Sequence, residues 1–135
     1  MTPPDVGQGQ IAPPTAAVLS RLEVIAKRAD FLRAASARRQ GMPGFLLQAR
    51  RRNDGTERMR VGFTCSKKIG NAVARNRAKR RLREVARAVL PKAGQAGWDY
   101  VLVGRPGATA ERSFALMLND LASALGQIHA EKGRR

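Results

Sequence analysis

A single cysteine, Cys65, is all the thiol chemistry this 135-residue sequence has, so no intrachain disulfide can form. A reducing, cytoplasmic setting is the expectation, with Cys65 a small buried residue rather than a nucleophile. Histidine is as scarce. His129 stands alone near the C-terminal end, so no paired histidine acid and base are available. Acidic residues number 10 against 26 Lys and Arg. They are scattered, and only Glu23/Asp30 and Asp54/Glu57 lie closer than eight residues apart. A two-metal hydrolytic site needs carboxylates within a few ångströms of each other. The sequence therefore predicts no catalytic residue and no stably bound metal in the protein itself. Long apolar runs are missing too; none approaches the ~20 residues of a membrane-spanning helix. Residues 1–20 contain no Lys or Arg, which argues against a secretory signal or an organelle transit peptide.

What is present is positive charge. The formal net charge is +16 and the pI about 11.7, a balance that calls for a polyanionic partner. Nucleic acid and anionic membrane both qualify on composition alone. Residues 1–19, with Pro3-Pro4, Pro13-Pro14 and intervening Gly and Gln, cannot bury enough surface to offset ordering and read as a disordered tail. Residues 20–130 read as one domain and 131–135 as a basic tail. A domain of about 115 residues buries roughly two-thirds of its unfolded surface, enough for a core.

The pattern along the chain predicts a small α+β domain, a sheet with packed helices. Ser20-Arg21-Leu22-Glu23 has the form of a capping box, and Leu22, Ile25, Ala29 and Leu32 follow on one helical face. Gly41 and Pro43 stop that helix by residue 40. Phe45–Arg52 reads as a strand, Asn53-Asp54-Gly55 as a hairpin turn, and 57–66 as the return strand. In the latter, Met59, Val61, Phe63 and Cys65 alternate with Arg60, Gly62, Thr64 and Ser66, giving one core face and one polar face. Gly70-Asn71 supplies a turn and a cap for a helix over 72–89, expected to end before Pro91. Trp98–Gly104 is nearly continuously apolar, as in a strand covered on both faces. Thr109 is placed to cap a last helix with a Phe114, Leu118, Leu121, Leu125, Ile128 stripe. The order is α-β-β-α-β-α, or α-β-β-β-α-β-α with a further short strand in the 40s or 50s. Phe45, Phe63, Tyr100 and Phe114 fall on core faces.

Half of the net charge is concentrated in one stretch. Residues 67–87 hold nine Lys or Arg and one acid, Glu84, a net +8 (nine minus one). At about 100° per residue, Ala78, Leu82, Val85, Ala86 and Val89 share one side of the 72–89 helix. Asn76, Arg80, Arg83 and Arg87 share the opposite side, with Arg77 beside them. Solvated helix faces interleave Glu with Lys; this one does not. Arginine outnumbers lysine here, which suits phosphate oxygens met by planar forks. A membrane-surface helix needs large apolar anchors, and this one offers mostly Ala and Val. Nucleic acid is the better partner.

The stretch RVGFTCSKKIGNAVARNRAKRRLRE (60–84) resembles the signature of the protein component of bacterial ribonuclease P, with Arg75-Asn76-Arg77 following Lys67-Lys68-Ile69-Gly70-Asn71-Ala72-Val73. The resemblance covers roughly residues 21–128, including RADFLRAA (28–35). It implies an α-β-β-β-α-β-α fold like a ribosomal-protein domain, with a left-handed β-α-β crossover. It also implies that the catalyst is a large RNA, which uses bound Mg²⁺ to remove the 5′ leader of precursor tRNA. The protein would be the RNA-binding subunit of this cytoplasmic ribonucleoprotein endoribonuclease. Its partners would be the catalytic RNA and precursor tRNA, with no membrane and no small-molecule substrate.

By that resemblance Arg75, Asn76, Arg77, Lys79, Arg80 and Arg83 face the catalytic RNA, and the basic face adds Lys67, Lys68 and Arg87. Thr64, Ser66 and Lys68 match the floor of the leader cleft and Phe31 a cleft aromatic. Two cleft positions often aromatic in the family are Ala35 and Gln48 here, which reduces the aromatic surface offered to a leader. From the residues alone, Phe31 is either a stacking ring or an edge-of-core side chain. Arg75, near the apolar side of its helix, is either an RNA contact or a stem snorkelling over the core edge. Arg50-Arg51-Arg52 either extends the RNA surface or is a solvated turn. Composition also leaves open a structural ribosomal protein and, more weakly, a DNA-binding helix that lacks a paired recognition module.

Overall fold

The computed structural model of the chain describes residues 22–133. The expected tail 1–19, the Ser20-Arg21 start of the expected capping box, and residues 134–135 lie outside the described residues. In order, the elements are β1 (Leu22–Val24), α1 (Arg28–Ala35), β2 (Arg38–Gly41), β3 (Phe45–Arg51) and β4 (Met59–Thr64). A 3-10 turn (Lys67–Ile69) leads into α2 (Ala72–Ala93), followed by β5 (Trp98–Gly104), α3 (Ala108–Glu111) and α4 (Phe114–Gly133). The strands form one mixed sheet in the order β1-β4-β5-β3-β2.

Strand β5 sits at the centre, parallel to β4 and antiparallel to β3. Its apolar run is buried from Trp98 through Leu102, as a two-face strand requires. That placement removes the expected hairpin between β3 and β4, because β5 lies between them. The turn chemistry is nevertheless used: Asn53 and Gly55 take φ values of 57° and 82°. They turn the chain so that it can cross two strand spacings, roughly 10 Å.

One face of the sheet carries α2 and α4. Phe45, Leu47, Tyr100 and Leu102 meet Leu82, Val85 and Leu90 from α2 and Met117, Leu121 and Leu125 from α4. Each such side chain contributes roughly 1.5–3 kcal/mol by leaving water. Among the described residues the opposite face carries α1 alone, over a small cluster of Ile25, Ala34 and Val101 with Phe31 and Val103 at its margin.

Several local expectations are corrected. Leu22–Val24 is a strand, not the start of a helix, because it pairs in parallel with β4 and Leu22 packs on the main core. Leu32 is 56% exposed, so the expected apolar stripe does not exist. The helix begins only at Arg28. Helix α2 runs through Pro91 to Ala93; proline removes one N–H near the helix end, and the Gly94 N–H closes on the Leu90 carbonyl at 2.8 Å. Thr109 does not cap α4. Its hydroxyl accepts from the Arg105 N–H and donates to the Gly44 carbonyl, both at 2.7 Å, while Ser113 Oγ accepts from the Leu116 N–H. Phe114 is 38% exposed, outside the core. His129, near the C-terminal end, is packed into the fold: its ring lies edge-on to Trp98, centroids 4.6 Å apart, and its Nε2 is 2.8 Å from the Tyr100 hydroxyl.

Candidate nucleic-acid interface

Helix α2 starts where Asn71 Oδ1 accepts the Ala74 N–H at 2.9 Å. Ala78, Leu82, Val85, Ala86 and Leu90 are buried, and this apolar half fixes the rotation of the helix on the sheet. Asn76, Arg77, Arg80, Arg83 and Arg87 are consequently exposed. Lys67 and Lys68, also exposed, sit on the preceding turn. Lys79 and Arg75 are half-buried at the margins, and Arg75 Nε is buried with no hydrogen-bond partner. Its stem therefore lies against the core edge, the snorkelling arrangement. Arg81 is used internally: its Nη1 donates to the carbonyls of Thr109 and Ala110 at 2.8 and 3.0 Å.

The arginines divide into two populations. Arg50, Arg52 and Arg60 at the sheet are ion-paired, while Arg38 donates to the Ile128 carbonyl and, among the described residues, Arg39 and Arg51 form no ion pair. Asp99, fully buried, takes Arg52 at 2.9 Å, Arg60 at 2.6 Å and Arg50 at 3.5 Å. Arg60 also reaches Asp30 on α1 at 3.4 Å, and Asp30 takes Arg33 at 2.9 Å. Asp30 and Asp99, distant in sequence, thus share one guanidinium. Arg58 pairs with Glu23, Arg52 with Asp54 and Arg112 with Asp120. Among the described residues no ion pair involves Arg75, Arg77, Lys79, Arg80, Arg83 or Arg87. The charge of α2 is left for something outside the chain.

The pKa directions follow. Burial alone would raise the Asp30 carboxyl, but the charges and hydrogen bonds of Arg60 and Arg33 outweigh it and hold it below its ordinary value. Hydrogen bonds from the Thr56 backbone and hydroxyl, with Arg52 assisting, bring Asp54 down to about 2. The hydrogen bond to Asp99 heads the causes that raise the Arg60 guanidinium. Burial pushes the Cys65 thiol up, away from nucleophilic use. Among the described residues no three His, Cys, Asp or Glu are grouped to hold a metal ion. Asp30, Asp54, Asp99 and Asp120 are already engaged by arginines. The described residues offer no free carboxylate cluster that would fit a protein-held Mg²⁺.

On the α1 face, cross-strand register sets the neighbours of Thr64, one of the expected cleft residues. Leu46, Val103 and Thr64 form one row across β3, β5 and β4; Gln48, Val101 and Gly62 form the next. Phe31 stands over Gly62, where a Cβ would lie 2.5 Å from the ring. The ring is half-buried, so it is partly core and partly open to the cleft. The expected polar face of β4 is therefore covered at Gly62 and open at Thr64. Ser66 lies just beyond the strand, and its Oγ accepts the Lys68 N–H at 3.3 Å. Two arginines were missed from sequence. Arg39 pairs with Gln48 in register, and Arg105 approaches Gly41, whose Cβ would lie 2.9 Å from Nη2. Period-two continuation from Val101 and Val103 was the available signal for Arg105. Arg50 and Arg52, by contrast, serve the Asp99 network, and only Arg51 of that triplet is exposed.

The family model described as ribonuclease P matches residues 19–129. The ribonuclease P protein component of Ruegeria pomeroyi is 60% identical over 123 residues, covering 89% of this chain and 98% of that protein. That of Paramagnetospirillum magneticum is 50% identical over 116 residues, covering 82% and 86%. Among solved structures, the RNase P protein of Staphylococcus aureus superposes with a TM-score of 0.62 at 28% identity, covering 78% of this chain and 94% of that one. The Thermotoga maritima protein gives 0.62 at 25%, covering 78% and 96%.

Proposed function

We propose a division of labour for this chain, which belongs to the ribonuclease P protein family: it holds RNA, and the RNA does the chemistry. As such a component it is the protein subunit of a tRNA-processing ribonucleoprotein endoribonuclease, partnered with an RNA subunit. The finer assignments are our reading. The α2 face, with Lys67, Lys68, Arg75, Asn76, Arg77, Lys79, Arg80, Arg83 and Arg87, contacts the catalytic RNA. The cleft of Phe31, Thr64, Ser66 and Lys68 takes the 5′ leader of precursor tRNA. Mg²⁺ is held by RNA and substrate, and the complex works in the cytoplasm.

One observation carries this reading: Asp30, Asp54 and Asp99 ion-pair with Arg50, Arg52 and Arg60, while among the described residues no acid pairs with Arg77, Arg80, Arg83 or Arg87 of α2. Placing such charge on one helix face is destabilising unless a polyanion completes it. Arginine forks on the face suit phosphate oxygens. The test is the RNA that co-purifies with the tagged chain. A single species of a few hundred nucleotides, able to cleave precursor tRNA, is expected; ribosomal RNA alone would overturn the reading.

A further inference from the structure

The sheet face that α2 covers is left open at its β1 edge. Leu22 and Val24 lie on the same face as Met59 and Val61, their register partners on β4. Val24 is nonetheless 69% exposed. Between this edge and the helix lies a groove of about 300 Å³. Leu22, Val24, Val61 and Phe63 form its apolar floor, and Ala86 lines it from α2. Arg83 and Arg87 also line it, and among the described residues no acidic side chain does. The Arg83 guanidinium carbon stands 5.8 Å from the centre of the Phe63 ring.

We propose that this groove is a binding site for one unpaired nucleobase of the RNA subunit, with the adjoining phosphates on Arg83 and Arg87. The proposal rests on the α2 face being the RNA-subunit contact and names a subsite within it. The chemistry of the lining selects the occupant. A phosphate alone has no use for an apolar floor, and an apolar peptide has no use for two guanidinium groups. A nucleotide uses both: its base has an apolar π-face that stacks on aromatic and guanidinium planes, and its phosphate takes arginine forks. The volume is at the small end of ligand pockets, suiting one nucleotide and not a folded element. The groove continues the Asn76–Arg87 stripe, so a strand tracking those cations reaches it without a detour.

Two measurements test the proposal on the full chain. The first is methyl NMR during titration with single-stranded hexauridylate, compared with an abasic ribose-phosphate hexamer of equal charge. The base-bearing strand should shift the Leu22, Val24 and Val61 methyls, and the abasic one should not. Equal shifts from both, or none from hexauridylate while Arg83 responds, would overturn base insertion. The second is affinity for the cognate RNA subunit. Val24→Glu, at an exposed position, should weaken it at least about five-fold more than Ser123→Glu, a charge-matched change on exposed α4 surface, five-fold being the low end for one lost stack. Equal loss from both variants would overturn the site. A loss confined to precursor over mature tRNA would assign the groove to the leader and overturn the RNA-subunit occupant. Failure of the unmodified chain to bind the RNA subunit would instead defeat the broader functional reading.

Discussion

Phe31 is packed on one side and accessible on the other. Its ring sits on Gly62 beside the Ile25, Ala34 and Val101 cluster, with the remainder open to the cleft. Phe31→Ala should weaken precursor tRNA relative to mature tRNA by about 1–3 kcal/mol when the RNA subunit is present, if a leader base stacks there. Equal weakening of both ligands, measured by equilibrium binding, would reduce Phe31 to a packing residue. The sequence showed this ring lying off the expected stripe, but not its seat, because Gly62 is brought beneath it only by the tertiary fold. Asp54 is a simpler case. Its carboxyl, held at about 2 against an ordinary 3.8, favours the folded state above pH 4, and that contribution is lost as pH falls towards 2. Asp54→Asn should therefore lower stability at pH 7, with the gap to wild type closing by pH 2 in urea titrations. A gap unchanged at pH 2 would contradict the assignment to this carboxylate.

At the scale of elements, the sheet and α2 treat charge in opposite ways. In the sheet, Asp99 is the common counterion of Arg50, Arg52 and Arg60. Asp99→Asn removes the shared buried counterion, leaving Arg50 unpaired, Arg52 with only the exposed Asp54 and Arg60 with only Asp30, and should cost about 3–5 kcal/mol in denaturant unfolding. A loss under about 1 kcal/mol, the scale of exposed pairs, would show that the network is not a buried one. On α2, Arg80→Ala with Arg83→Ala should leave the fold intact and reduce the magnitude of the log–log salt slope of RNA binding by roughly 1.4 to 1.8. An unchanged slope would remove these residues from the phosphate contacts. The two faces of α2 were legible because helical periodicity separates Ala and Leu from Arg within a single segment. The sheet order was not legible, since it depends on pairings between distant strands. The apolar run of 98–104 did say that β5 is covered on both faces, and a central position between β3 and β4 is what that burial means. Local propensity misled at Leu22–Val24, where pairing with β4 prevails over a capping-box pattern whose Ser20 lies outside the described residues.

For the molecule as a whole, ten acids and twenty-six bases leave a surplus of sixteen, and half of it falls in residues 67–87. The 60–84 signature made the family readable, and the wheel made the interface readable. The Arg60 bridge between Asp30 and Asp99 was not readable, because the two acids lie 69 residues apart in the chain (99 minus 30). RNA helices and substrate repel one another, and bulk cations relieve this only in quantity; a fixed cationic face supplies part of the neutralisation locally. The central claim is that this chain supplies charge and grip while RNA supplies catalysis. Its most direct test is 5′ cleavage of precursor tRNA across a Mg²⁺ series, using nuclease-treated protein alone, the cognate RNA subunit alone, and both together. The account predicts no cleavage by protein alone at any Mg²⁺ concentration. It also predicts a protein-dependent stimulation that is largest at low Mg²⁺ and shrinks as Mg²⁺ rises. Site-specific cleavage by the RNA-free protein would contradict it.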